Sequence, residues 1–139
     1  MPQLDAYLHF NGNCAEAMRF YEKTLGGKID AMSTFADSPM AGQLPPGFGE
    51  RILHARLRVD GHTLMASDMP PNMPFDGMKG FSLSLNYKTP EQARSVFEAL
   101  SQGGQVHMPL QATFWAAAFG MFTDRFGVPW MVGCEKAQG

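Results

Sequence analysis

The chain has 139 residues, a formal net charge of −2 and a sequence pI near 6.0. This balance excludes the basic surface that nucleic acid or anionic lipid would require, and no apolar run approaches the ~20 residues of a membrane span. The length predicts one domain, 1–139, with a core that needs neither disulfides nor metal. Two cysteines form no disulfide framework and the N-terminus lacks signal-peptide regions, so a cytoplasmic protein is expected.

The first half of the chain predicts the order strand, helix, strand, strand, strand. Residues 4–10 alternate in polarity as a half-buried strand does, with Leu4 at the start of the core-facing side. The polar face of this strand consists of Asp5, Tyr7 and His9. Asn13 and Glu16 have the spacing of a capping box that opens a helix, and Gly26-Gly27 ends it.

The remaining strands of this half are separated by a long loop. The strands are predicted at 28–35, 52–59 and 62–68. The polar face of the middle one consists of His54, Arg56 and Arg58. The loop, 36–50, is rich in Pro and Gly, and a loop of this length is usually functional or mobile.

The second half repeats this order after a linker, 69–79, that contains three prolines. Its strands are predicted at 81–87, 105–110, 115–124 and 128–134. The polar face of the first of them consists of Ser82, Ser84 and Asn86. Thr89 caps the helix, and Gly103-Gly104 ends it. The turn glycines and the methionines four residues later also correspond, as Gly61 with Gly127 and Met65 with Met131. The repeat predicts two modules, approximately 1–68 and 80–135.

Three separated segments carry a resemblance to a known family. They read YLHFNGNCAEAMRFYEKTLGGK, ILHARLRVDGHTLMASD and MPLQATFWAAAFGMFTDRFGVPWM. In this order they resemble the PhnB-like branch of the vicinal-oxygen-chelate superfamily, which contains glyoxalase I, extradiol dioxygenases, fosfomycin-resistance proteins and bleomycin-binding proteins. The resemblance implies an α+β fold of two βαβββ modules, whose mixed sheet forms a cup with the helices on its outer face, and a homodimer. Some PhnB-like proteins carry a ubiquinone-methyltransferase label, but this chain has no Gly-rich strand–loop–helix signature for a methyl donor.

The same resemblance raises the question of a metal. Enzymes of the superfamily place metal ligands on the first and fourth strands of each module. The corresponding positions are Asp5, Met65, Ser82 and Met131. A register shift of one residue would replace Asp5 by Ala6 and Ser82 by Phe81. Hard divalent cations prefer carboxylate, imidazole or water, whereas thioethers are soft ligands. The resemblance therefore predicts a protein without the superfamily metal and without another cofactor.

Candidate ligand-binding residues lie mainly on the polar faces of the strands. Arg56 and His54 predict a carboxylate or phosphate group in the ligand, because a guanidinium offers a bidentate fork. Trp115, at the start of a strand, is the aromatic candidate. The full candidate set is Tyr7, His9, His54, Arg56, Met65, Ser82, Ser84, Trp115 and Phe122. The alternative is that the histidines and arginines only form a solvated strand face.

Three functions fit this pattern. The first is a metal-free, small-molecule-binding protein of the PhnB-like branch. The second is a metal-dependent lyase, isomerase or dioxygenase of the glyoxalase type, and the third is a drug-sequestering protein of the bleomycin-binding type. No Ser-His-Asp or Cys-His spacing indicates a nucleophile.

Overall fold

The computed structural model describes residues 2–39, 41–71 and 73–136. These residues form two compact units, and the boundary between Asp76 and Gly77 lies inside the predicted linker. Each unit combines one α-helix with a four-stranded mixed sheet. The α+β class and the two βαβββ units are therefore confirmed. The single domain 1–139 and the shared cup stay predictions.

The first unit has its α-helix and four strands in the predicted order, with a short 3-10 helix (Ala41–Gln43) in the long loop. The α-helix and strands are β1 (Ala6–Phe10), α1 (Cys14–Leu25), β2 (Lys28–Thr34), β3 (Ile52–Val59) and β4 (His62–Asp68). The sheet order is β1-β4-β3-β2, with β1 parallel to β4 and the other neighbours antiparallel. The buried stripe of α1 covers one face of this sheet and leaves the other face open.

The second unit repeats the arrangement of the first. Its elements are β5 (Leu83–Tyr87), α2 (Pro90–Ser101), β6 (Gln105–Gln111), β7 (Ala116–Thr123) and β8 (Pro129–Glu135). The sheet order is β5-β8-β7-β6, again with the first strand parallel to the last. The helices α1 and α2 have 12 residues each, and no helix among the described residues is long and apolar enough to cross a membrane.

The predicted alternation of β1 is confirmed except at its start. Leu8 and Phe10 are 2% and 0% exposed, as expected for the face under α1. Leu4 is 98% exposed, so the prediction that it faces the core is wrong. The reason is that pairing with β4 begins only at Ala6, opposite Leu64, and Leu4 precedes the ladder.

The two helices begin in different ways. Thr89 caps α2 as predicted, because its side chain accepts a hydrogen bond from the backbone N of Gln92 at 3.1 Å. Asn13 precedes α1 but forms no side-chain cap, so the capping box predicted from Asn13 and Glu16 is wrong. A carboxylate that is distant in the sequence but lies beside Phe10 in the sheet takes its place.

That carboxylate is Asp68, the last residue of β4, which is 1% exposed. Its Oδ1 accepts hydrogen bonds from the backbone N of Gly12 at 2.7 Å and of Cys14 at 3.0 Å. Its Oδ2 accepts one from the backbone N of Ile52 at 2.9 Å. A negative charge at a helix N-terminus satisfies free N–H groups and the helix dipole together. Asp68 therefore fastens α1 to β3 and β4.

Asp124 accepts a comparable set of hydrogen bonds in the hairpin between β7 and β8, and it is 3% exposed. Its Oδ1 accepts hydrogen bonds from the backbone N of Phe126 at 2.9 Å and of Val128 at 3.0 Å. Its Oδ2 accepts one from the indole Nε1 of Trp130 at 2.8 Å. Gly127 in this turn has φ of +90°, a conformation that glycine adopts without steric strain.

Substitution of Gly127 by valine should lower the free energy of unfolding by about 1–3 kcal/mol, because a β-branched residue is strained at this φ. Urea unfolding measures the change. Gly42→Val is the matched control, because Gly42 has open space around it and no positive φ. The control should change the free energy of unfolding by less than about 0.5 kcal/mol. An equally small change for Gly127→Val would show that valine is not strained at this position.

Candidate functional site

The open face of the first unit carries a row of side chains in register across the sheet. Tyr7 on β1 pairs with Met65 on β4, and Met65 pairs with Arg56 on β3. Arg56 in turn pairs with Ala31 on β2. Because directly paired residues project to the same face, these side chains share the surface that α1 leaves uncovered.

Polar contacts join three of the predicted residues on this face. The hydroxyl of Tyr7 lies 3.1 Å from Nδ1 of His54. The Tyr7 ring also lies beside His9, with 5.2 Å between the ring centroids. His9 Nδ1 lies 3.2 Å from Oγ of Ser67. The structure thus brings Tyr7, His9 and His54 together and adds Ser67, which lies two residues after Met65 on the same face of β4.

Arg56 is held by an acidic residue that sequence reasoning missed. Its Nε donates to Oδ1 of Asp30 at 2.7 Å, and the two side chains are 43% and 35% exposed. Asp30 is an extra residue in β2, because Ile29 pairs with Leu57 and Ala31 already pairs with Arg56. Such a β-bulge brings an additional side chain to the strand partner. Arg56 therefore has an acidic partner within its own sheet, in addition to any ligand.

The open face of the second unit has the same register but different chemistry. Ser84 on β5 pairs with Met131 on β8, Met131 with Met121 on β7, and Met121 with Met108 on β6. Three thioethers therefore occupy positions where the first unit has Met65, Arg56 and Ala31. A bulge again lies in the edge strand, at His107, whose Nε2 is 2.8 Å from Oγ1 of Thr123.

The aromatic candidates separate into an exposed group and a buried residue. Trp115 is 52% exposed, and its ring makes edge contacts with Phe114 and Phe119 at centroid distances of 4.8 Å and 5.6 Å. Phe122 is 1% exposed and packs edge-on against Phe97 of α2, with centroids 5.0 Å apart. Phe122 therefore belongs to the core beneath α2 and offers no surface to a ligand in this unit.

The residues at the expected metal positions do not suit a hard cation. Asp5 and Ser82 precede the first residues of β1 and β5. The side chains that pair in register with Met65 and Met131 are Tyr7 and Ser84. The expected set contains a single carboxylate, that of Asp5, and the set that pairs in register contains none, whereas such ions prefer several carboxylate, imidazole or water ligands. Within residues 2–39, 41–71 and 73–136, no group of three or more His, Cys, Asp and Glu side chains is placed to hold a metal.

Burial disfavours a nucleophilic role for the two thiols. Cys14 is 0% exposed, and burial, followed by the nearby charge of Asp68, raises the pKa of its thiol well above the usual range. The thiol therefore stays protonated, whereas a thiolate would be needed for attack or metal binding. Cys134 is also buried, and its Sγ lies 3.5 Å from the backbone O of Glu135.

Solved structures similar to this chain share its fold. Protein PA1353 from Pseudomonas aeruginosa is 52% identical with a TM-score of 0.91, covering 99% of this chain and 100% of that one. A putative 3-demethylubiquinone-9 3-methyltransferase, PhnB protein, from Bacillus cereus is 28% identical with a TM-score of 0.81, covering 96% and 99%. A glyoxylase/bleomycin resistance protein/dioxygenase domain from Frankia sp. EAN1pec is 12% identical with a TM-score of 0.69, covering 100% and 96%, which is a likeness of fold alone.

Sequence comparison assigns the family. Protein YjdN of Escherichia coli (strain K12) is 36% identical over 143 aligned positions that cover 97% of this chain and 97% of that protein. The family profile described as 3-demethylubiquinone-9 3-methyltransferase matches residues 2–133. The chain therefore belongs to this family, to which the PhnB protein from Bacillus cereus is also related, and it shares the fold of the glyoxalase/bleomycin-resistance domain.

Proposed function

We propose that the protein binds a small organic anion on the open face of its first unit, without a metal. The observation that supports this most is Arg56, which projects from the middle of this face, 43% exposed, with only its Nε engaged by Asp30 among the described residues. The edge formed by the two terminal nitrogens of the guanidinium has no hydrogen-bond partner among the described residues. Such an edge matches the two oxygens of a carboxylate or the oxygens of a phosphonate.

The neighbours of Arg56 suit the rest of such a ligand. Met65 lies beside it in register, and Tyr7, 41% exposed, lies beside Met65. A thioether and an aromatic ring are favourable contacts for an apolar group, and Met adapts its shape to different partners. Binding sites of this kind combine apolar contacts with a few polar groups that fix orientation. The proposed ligand is therefore a carboxylate or phosphonate with an apolar part.

Methyl transfer, which the family description names, has no support in this chain. Enzymes that hold a nucleotide-type cofactor commonly use a parallel sheet and a Gly-rich turn that leads into a helix. Here the turn from β1 to α1 is Asn11-Gly12-Asn13, and Asp68 occupies the free N–H groups at Gly12 and Cys14. A second carboxylate-sized anion would meet like charge there. We therefore propose a binding role instead of a methyltransferase.

A second candidate function is sequestration of an aromatic, drug-like compound, and the second unit favours it. Phe114 is 86% exposed beside Trp115, and both belong to one cluster with Phe119. Exposed aromatic groups of this kind often mark a binding surface. We also propose that the protein is a homodimer in the cytoplasm, as the resemblance implies.

The proposed function predicts that Arg56→Ala weakens binding of the anion and leaves the fold intact. A thermal-shift screen of carboxylates and phosphonates should yield at least one weak binder for the wild type. Calorimetry should then show an affinity about 10- to 100-fold lower for Arg56→Ala, because one charged hydrogen-bonding pair is lost. Stability should change by less than about 0.5 kcal/mol, since half-exposed ion pairs contribute little.

Two controls make this result specific. Arg94→Ala removes an arginine from the exposed side of α2 and should leave affinity unchanged. Binding should also survive dialysis against EDTA, with no change in melting temperature. If EDTA abolishes binding and a divalent ion restores it, the metal-dependent enzyme is favoured instead. If Arg56→Ala binds as tightly as the wild type but becomes monomeric, Arg56 belongs to a subunit interface and the proposal is wrong.

A further inference from the structure

We propose that Asp30 makes this anion site selective for singly charged ligands over doubly charged ones; the inference rests on the binding role proposed for Arg56. Asp30 is a specificity-determining residue in this view. Its carboxylate would not touch the ligand but would hold the guanidinium that does.

The position of Asp30 follows from the β-bulge in β2. Ile29 pairs with Leu57 and Ala31 pairs with Arg56, so Asp30 has no partner of its own in the ladder. The extra residue brings its carboxylate onto the open face, where Oδ1 lies 2.7 Å from Nε of Arg56. A one-sided contact through Nε fixes the plane of the guanidinium. The two terminal nitrogens have no hydrogen bond among the described residues and are therefore available to a ligand.

The fold does not require this ion pair. The second unit has a bulge at the same place, and its extra residue is His107, which contacts Thr123. The position that corresponds to Arg56 is Met121, and the sheet still forms with the same strand order. An ion pair as exposed as Arg56 with Asp30 also adds little stability. Its consequence therefore lies in the charge of the open face.

The charge of Asp30 acts on the ligand at short range. An anion held by the terminal nitrogens of the guanidinium would lie roughly 6 Å from the Asp30 carboxylate. Repulsion at that distance in a partly solvated site would lower the affinity about threefold to tenfold for each charge on the ligand. The Arg56–Asp30 pair is neutral as a whole. The pair therefore compensates little for the hydration free energy that an anion loses on binding. This loss is larger for a dianion than for a monoanion. Arg58 and Lys28, which pair with each other one row along the sheet, are exposed and screened.

Asp30→Asn tests the selectivity, because the amide oxygen can still accept the hydrogen bond from Nε while the charge is removed. The probes are benzoate and phenylphosphonate, measured by calorimetry at about pH 9, where the phosphonate carries two charges. Wild type should bind benzoate at least as tightly as phenylphosphonate. In Asp30→Asn, benzoate should bind about threefold to tenfold more tightly and phenylphosphonate about 10- to 100-fold more tightly. The preference should thus move towards the dianion.

The control and the contrary outcomes separate this inference from the proposed function. Glu91→Gln makes the same change in net charge on α2 and should leave the affinity ratio unchanged. If binding depends on Arg56 but Asp30→Asn changes both affinities equally or neither, the selectivity role of Asp30 is overturned and the binding role stands. If neither probe binds wild type or Asp30→Asn, the proposed anion site is overturned together with this inference.

Discussion

Asp124→Ala should lower the free energy of unfolding by about 3–5 kcal/mol, one of the largest losses expected from any single substitution in the second unit. The change removes the acceptor for the backbone N of Phe126 and Val128 and for the indole N–H of Trp130. Phe126, Val128 and Trp130 are themselves buried, so water cannot easily replace the lost carboxylate. Urea unfolding followed by tryptophan fluorescence and circular dichroism measures the loss.

A double-mutant cycle identifies the part of this loss that belongs to Trp130. Asp124→Asn leaves one oxygen, so it can satisfy either the turn amides or the indole but not both, and it should recover only part of the stability. Trp130→Phe removes the indole donor, and its cost should be smaller in the Asp124→Asn background than in wild type. Asp76→Ala, in an exposed segment, is the control and should change stability by less than about 0.5 kcal/mol. If the losses of stability from Asp124→Asn and Trp130→Phe simply add, the hydrogen bond between the Asp124 carboxylate and the Trp130 indole does not make the contribution assigned to it.

Asp68→Ala should destabilise the first unit by a similar amount, about 3–5 kcal/mol. The backbone N–H groups of Gly12, Cys14 and Ile52 would lose their acceptor together. Hydrogen exchange distinguishes this from a general weakening, because the amides of Gly12 and Cys14 should lose protection before those in the middle of β3. Asp68→Asn should not restore wild-type stability, since both carboxylate oxygens accept hydrogen bonds. Uniform loss of protection throughout the unit would show that Asp68 does not act through the start of α1.

The repeat of two βαβββ units was predictable because its signals are local. The alternation in residues 52–59 depends only on neighbouring residues, as do the helix end at Gly26 and the turns at Gly61 and Gly127, and all three glycines have positive φ in the structure. The cap of α2 was also predictable, because Thr89 and Gln92 are three residues apart. The start of α1 was not, because Asp68 lies 54 residues from Cys14 in the chain and nothing local competes with Asn13 on sequence grounds.

The candidate site was predicted in part, for a comparable reason. Tyr7, His9 and His54 share one face because their strands alternate in polarity, and this was visible in the sequence. Phe122 was misplaced because β7 is apolar on both faces, so alternation gives no contrast there. Asp30 was missed because the loop 36–50 separates β2 from β3, and the register across a long loop cannot be read from composition.

The parallel pairing of β1 with β4 has a consequence for biosynthesis. A ribosome releases α1 well before it releases Asp68, and a helix of 12 residues is marginal in water without tertiary contacts. The edge strand β1 likewise cannot pair until β4 has been synthesised, since Ala6 pairs with Leu64. Closing so long a loop costs conformational entropy, and this cost is offset only when the whole set of contacts forms. We therefore expect the nascent first unit to stay largely unstructured, and thus dependent on protection from aggregation, until its final strand has emerged.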